Sequence, residues 1–155
     1  AKLVSSAINA AGSMSPKADA KKTTTDDSKD EVPREIIEAS VNVHNKYRAY
    51  HGVPAMKWDA KCYKTAKTWA DRLAREGKMY HGGHKGMGQN LAWCSGDLSI
   101  EAAIRMWYDE LFKPGYNYDK PGFSSGTGHF TQVVWKSSTH VACAVAKGKR
   151  GTHVV

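Results

Sequence analysis

Gly126-Thr127-Gly128-His129-Phe130-Thr131-Gln132-Val133-Val134-Trp135, then Lys136-Ser137-Ser138-Thr139, then His140-Val141-Ala142-Cys143-Ala144-Val145, is the stretch on which the reading of this chain turns. Two runs rich in β-branched and aromatic residues flank four polar ones, which predicts two antiparallel strands joined by a turn. Lys147 to Gly151 reads as the next turn, and Thr152 to Val155 as the start of a third strand.

Upstream the period lengthens from 2 to 3.6. After Pro33, the residues Ile36, Val43, Tyr47 and Tyr50 fall on one helical face before Gly52. Asp59 is a natural cap for a second helix whose Cys62, Ala66, Trp69 and Leu73 share a face before Gly77. Gly82, Gly83, Gly86 and Gly88 form a flexible loop, and Gln89 to Cys94 a short strand. Ser99 caps a third helix carrying Ile100, Ala103, Trp107 and Leu111, which ends at Pro114-Gly115. Helices ahead of a late antiparallel sheet, without βαβ alternation or a phosphate-binding glycine loop, predict an α+β fold.

The chain has 155 residues, enough for one domain and a tail. Residues 1–32 are read as a polar tail or linker, with a short helix near Leu3 to Ala11, and residues 33–155 as the domain. Residues 1–31 carry no aromatic residue and equal numbers of basic and acidic side chains, so the net charge of +8 belongs to the rest. That charge predicts attraction to anionic surfaces. No zinc finger, basic helix stripe or stacking motif accompanies it, so nucleic acid is not an expected partner. No apolar run approaches the ~18 residues of a membrane span.

Cys62, Cys94 and Cys143 are an odd count without a C-x-x-C pair. The expectation is one disulfide plus a cysteine whose partner lies outside the chain, in an oxidising compartment; the alternative is two buried thiols and a spare.

The run Gly126 to Trp135 closely resembles the signature of the CAP superfamily, the cysteine-rich secretory, antigen five and plant pathogenesis-related proteins. Four further matches follow the family's order: His44-Asn45-Lys46-Tyr47-Arg48, Met56-Lys57-Trp58-Asp59, Gly88-Gln89-Asn90-Leu91-Ala92 and Trp107-Tyr108-Asp109-Glu110. The resemblance implies a three-layer α-β-α sandwich with a central antiparallel sheet. It also implies a cleft of two histidines and two acidic residues that in many members binds a divalent cation, often zinc. Carried over by position, these are His81, Gln89, Glu110 and His129, with His84 the alternative to His81. Gln89 departs from the family's usual glutamate, and an amide is a weak metal ligand and no general base. Two imidazoles and one carboxylate can still hold zinc. His129, after a glycine pair, should aim at the cleft, while His44, His51, His140 and His153 are expected to be hydrogen-bonded surface or core residues.

Residues 113–128 form a long Pro- and Gly-rich loop bearing Tyr116, Tyr118 and Phe123, a length usual for functional loops. It is similar to an aromatic loop associated with sterol binding in fungal secreted members. Tyr116, Tyr118, Pro121 and Phe123 are therefore the candidate lipid-binding residues, unless these aromatics fold back into the core. The leading expectation is a non-enzymatic module binding sterol or another small hydrophobic lipid. The alternatives are a secreted interaction, defence or virulence effector acting on a receptor or membrane surface, and a metal-dependent hydrolase. The hydrolase is weakened by Gln89 and the lack of a Gly-x-Ser-x-Gly elbow. An anionic membrane and a second copy of the chain are further candidate partners. Secretion is the expected location, with the cytosolic face of Golgi membranes the alternative, since the His44 to Pro54 run also resembles the Golgi-associated branch. The family's closing Tyr-x-Pro-x-Gly-Asn strand is not reached by Val155, so the domain is read as lacking it.

Overall fold

A computed structural model describes residues 31–155; the proposed tail, with its short helix, lies almost wholly outside the described residues. Helix α1 spans Arg34–Tyr50, β1 Lys57–Trp58, α2 Ala60–Glu76, β2 Ala92–Cys94 and α3 Ile100–Asp109. They are followed by α4 (Gly128–Val133), β3 (His140–Val141), β4 (Val145–Gly148) and β5 (Gly151–Val154).

Helices α1 and α2 begin and end where their local signals are, and α3 begins at its own signal but ends at Asp109, ahead of the expected Pro114-Gly115 stop, because Lys113 is extended and breaks the helix there. Asp59 accepts the Cys62 N–H at the start of α2, and Ser99 accepts the Ala102 N–H at the start of α3. Gly77 closes α2 in the left-handed conformation at φ 62°.

Three layers result. On one side α1, α3 and α4 pack together, and Ile104, Trp107, Phe130 and Val133 meet Ala92, Cys143 and Val154 from the sheet. On the other side Trp69, Ala70 and Leu73 of α2 meet Ala144, Ala146 and Val155. Cys143 and Ala144 thus face opposite layers, as do Val154 and Val155, which is the period-2 alternation of an extended chain.

Two expectations fail in this region. The run His129 to Trp135 is not a strand: Gly128–Val133 is a short helix. The run His140 to Val145 is not one strand but parts of two. Lys57–Trp58 pairs in parallel with His140–Val141, whereas β2-β5-β4 is a separate antiparallel sheet. The physical reason is tertiary. Glu110, just beyond α3, accepts the backbone N–H groups of His129 and Phe130 on Oε2, at 2.9 and 3.1 Å. A carboxylate at those unpaired donors favours helix over the extended form that the β-branched side chains prefer.

The other end of α4 is held by Arg48, which is 0% exposed. Its guanidinium donates to the carbonyls of Val133, Trp135 and Ser138, and its Nε to that of Pro54. A negative group at the amino end and a positive one at the carboxyl end both oppose the helix dipole favourably.

The expected disulfide is also absent: Cys62, Cys94 and Cys143 are all free thiols. Burial pushes the Cys143 thiol up to about 12.

Candidate functional site

Of the four cleft residues, three line one cavity of about 370 Å³: His81, Gln89 and His129. Glu110 stands behind His129, its Oε1 accepting from Nδ1 at 2.7 Å. The quartet therefore resolves into two hydrogen-bonded pairs. In the second, the Gln89 Oε1 accepts from His81 Nδ1 at 3.0 Å and from the Gly82 N–H at 3.1 Å. The Gln89 amide then donates to the Gly82 carbonyl at 2.7 Å. That last bond needs a donor, which a carboxylate does not have. Glutamine at this position works as a clamp on the glycine loop.

Both imidazoles thereby present an N–H on Nδ1 to the side-chain oxygen that positions them. His129 is further fixed by Trp107, which stacks on its ring, and by Asn90, whose amide donates to the His129 carbonyl. The glycine loop is less free than its composition suggests. A Cβ on Gly82 would lie 2.5 Å from the Trp69 ring, so the backbone rests directly on that indole. Between His81 and His84 the choice falls to His81, since His84 faces a neighbouring cavity instead.

This geometry does not fit a four-ligand zinc shell. Every oxygen of Glu110 and Gln89 is engaged in positioning protein atoms, leaving two imidazole nitrogens where a zinc site with one open position uses about three protein ligands. Among the described residues, no three His, Cys, Asp or Glu side chains come together as a metal-ligand group.

The aromatic loop divides. Tyr116, Tyr118 and Pro121 line a second cavity of about 250 Å³, with His51, Phe130, Thr131 and Val134. Tyr116 is its anchor, packed on Phe130 at a centroid distance of 5.1 Å and accepting the Gly122 N–H on its hydroxyl. Tyr118, 62% exposed, meets Tyr116 edge-on. Phe123, 77% exposed, lies on the other side of the loop and borders the histidine cavity. Phe130 and Thr131 were not among the expected ligand residues; they enter because α4 is helical and turns them toward the loop.

Of the four histidines expected to be structural, His44 bonds to the Ser40 carbonyl, His51 to the Tyr108 hydroxyl and His140 to Thr139. Buried His153 hydrogen-bonds to the Lys78 backbone and leaves only its Nδ1 without a partner. Burial pushes His44 down to about 4, and lowers His51 and His153 as well.

Residues 41–155 match the cysteine-rich secretory protein family, CAP. The chain is 46% identical over 104 residues to the secreted protein RBT4 of Candida albicans, covering 67% of this chain and 28% of that protein. It thus spans little more than a quarter of that relative's length. It is 37% identical to pathogenesis-related protein 1 of Arabidopsis thaliana, covering 74% of this chain and 70% of the relative. With the human Golgi-associated plant pathogenesis-related protein 1 it shares 36% identity, covering 74% and 75%. Among solved structures, NaASP2 with Zn2+ superposes with a TM-score of 0.69 at 21% identity, over 81% of this chain and 80% of that one. This likeness agrees with the α+β layering described above.

Proposed function

The chain belongs to the CAP family of cysteine-rich secretory proteins, and from that premise we propose that it is a binding module for a sterol or another small hydrophobic compound, gripped by the loop 113–128. The observation that carries this reading is the pairing of an anchored Tyr116 with exposed Tyr118 and Phe123, two large apolar side chains left in water on a segment whose base is fixed. Aromatic rings held this way offer flat contact area at low entropic cost. A cavity of about 250 Å³ is smaller than the ~300–1,000 Å³ of pockets that enclose a small molecule. The ligand is therefore held in part, with Tyr118 closing over it. Binding is proposed over hydrolysis because no carboxylate borders the histidine cavity: Gln89 stands at one of the acidic positions, and Glu110, behind His129, is committed to that imidazole and to the start of α4. No metal enters this reading. Secretion accompanies it, supported by the likeness to a secreted Candida protein.

The test is binding of a fluorescent sterol to the wild type and to Tyr118→Ala/Phe123→Ala. Both side chains are exposed, so folding should survive. Loss of about two apolar contacts should weaken binding by at least ~10-fold; unchanged affinity in the double variant sinks the loop assignment.

A second reading, attachment to an anionic membrane, is favoured by a different face. Trp93 and Met79, 43% and 44% exposed, border a cavity with Lys78 and Arg150 and no acidic residue. Apolar rings flanked by cations suit a lipid surface. Sedimentation with phosphatidylserine vesicles should show binding at low salt that fades at high salt; binding unaltered by Trp93→Ala would remove this face from consideration.

A further inference from the structure

The histidine cavity plays no part in gripping a lipid, yet it is roomier than the loop cavity that does. At about 370 Å³ it falls within the ~300–1,000 Å³ of pockets that enclose a small molecule. Although the chain carries a net charge of +8, no aspartate, glutamate, lysine or arginine among the described residues borders this space. Imidazoles, amides and hydroxyls do, from His81, His129, Asn90, Gln132 and Ser125. An anion would find no lysine or arginine there, and a hard cation no carboxylate. A wholly apolar ligand would strip water from these polar groups and leave them unpaired. A neutral molecule dense in hydroxyl groups meets none of these obstacles.

Short contacts fix the groups around one space. The Gln132 amide of α4 lies so close over Gly88 that a Cβ there would come within 2.1 Å of it, next to Gln89, which in turn holds His81 at 3.0 Å. On the other flank the Phe123 ring rests on Gly128, 2.8 Å from where a Cβ would stand, next to His129. Nδ1 of each imidazole is taken up by Gln89 or Glu110, so the opposite edge of each ring is left for the cavity. A hydroxyl, donor and acceptor at once, can meet an imidazole nitrogen in either protonation state. Two aromatic rings stand in water at the border, Phe123 77% and Trp135 47% exposed. Rigid flat rings beside amides and hydroxyls suit a sugar ring, whose C–H face is apolar and whose edge is polar.

We infer that this cavity binds a neutral carbohydrate. Phe123 and Trp135 pack on the C–H face of a sugar, and His81, His129, Asn90 and Gln132 meet its hydroxyls. The lipid reading concerns the other cavity and is not needed for this one.

The test is calorimetric titration of the full chain with neutral trisaccharides of glucose, mannose and N-acetylglucosamine, in chelator and at high salt. At least one should bind at one equivalent, with an affinity that salt and added zinc leave unchanged, because no charge is engaged. Trp135→Ala should weaken it by at least ~10-fold, with circular dichroism confirming the fold. Trp135 also borders the loop cavity, so two further variants separate the readings. His81→Ala, at an exposed side chain, should weaken the saccharide by ~3–10-fold and leave a fluorescent sterol unaffected, whereas Tyr118→Ala should do the reverse. In the wild type, saturating saccharide should shift the imidazole resonances of His81 and His129. Failure of all three trisaccharides to bind at ~10 mM, full affinity in folded Trp135→Ala, unmoved imidazole resonances, a requirement for zinc, or tighter binding of a glucuronate-bearing saccharide at the same salt would each overturn the assignment.

Discussion

Replacing Arg48 by methionine should be among the most damaging single changes in the domain. The side chain is fully buried, and its four hydrogen bonds run 2.8, 3.0, 2.9 and 3.1 Å to four carbonyls in two segments. Methionine preserves much of the stem's packing, so the change isolates the guanidinium. Hydrogen bonds from a charged donor contribute ~1.5–3 kcal/mol each, a gross ~6–12 kcal/mol for four. Returning a buried cation to water recovers several kcal/mol of this, so the net loss should be ~3–5 kcal/mol. Against the ~5–15 kcal/mol that holds a typical domain together, that is a large share. In urea, with a slope near ~2 kcal/mol/M, the unfolding midpoint should fall by ~1.5–2.5 M. Lysine at the same place should recover only part, because an ammonium cannot reproduce the planar fork that spans Val133, Trp135 and Ser138. A midpoint for Arg48→Met within ~0.5 M of wild type would refute the reasoning, since water would then be serving those carbonyls equally well.

Glu110→Gln retains one oxygen but removes the charge at the start of α4; it should cost ~1–3 kcal/mol in the same urea assay, and an unchanged midpoint would mean that α4 needs no carboxylate. Stability should fall as pH drops from the ordinary histidine value of ~6.5 toward 4, because the unfolded chain takes up the proton that buried His44 refuses. At the acid end His44 alone accounts for ~3 kcal/mol, with His51 and His153 acting in the same direction, so His44→Gln should flatten the profile; parallel profiles would exclude it. Iodoacetamide at pH 8 should leave Cys143 unmodified in the native protein and label it in guanidinium, as peptide mass mapping will report; rapid native labelling would show that its burial is not maintained.

Helices α1, α2 and α3 were legible because the information for them is local. Asp59, Ser99 and Gly77 sit beside the turns they terminate, and Trp69 and Leu73 mark a face at short spacing. Helix α4 was not legible because what makes it helical is remote: its negative cap comes from Glu110 and its positive one from Arg48, far apart in the chain. The strand around Val141 was misjudged for the same reason, since its partner is Trp58. In the site, the meeting of His81 with Gln89 and of Glu110 with His129 followed from the family's motif order, not from spacing. The division of the aromatic loop between two cavities followed from neither. It depends on the Tyr116 hydroxyl gripping the Gly122 backbone and leaving Phe123 beyond it.

Helix α4 is a partition between two rooms. His129 borders one side, Phe130 the other, and Thr131 both. Anyone re-engineering ligand preference who substitutes Thr131 moves the wall of both chambers at once, whereas changes at Tyr118 refurnish one and leave its neighbour undisturbed.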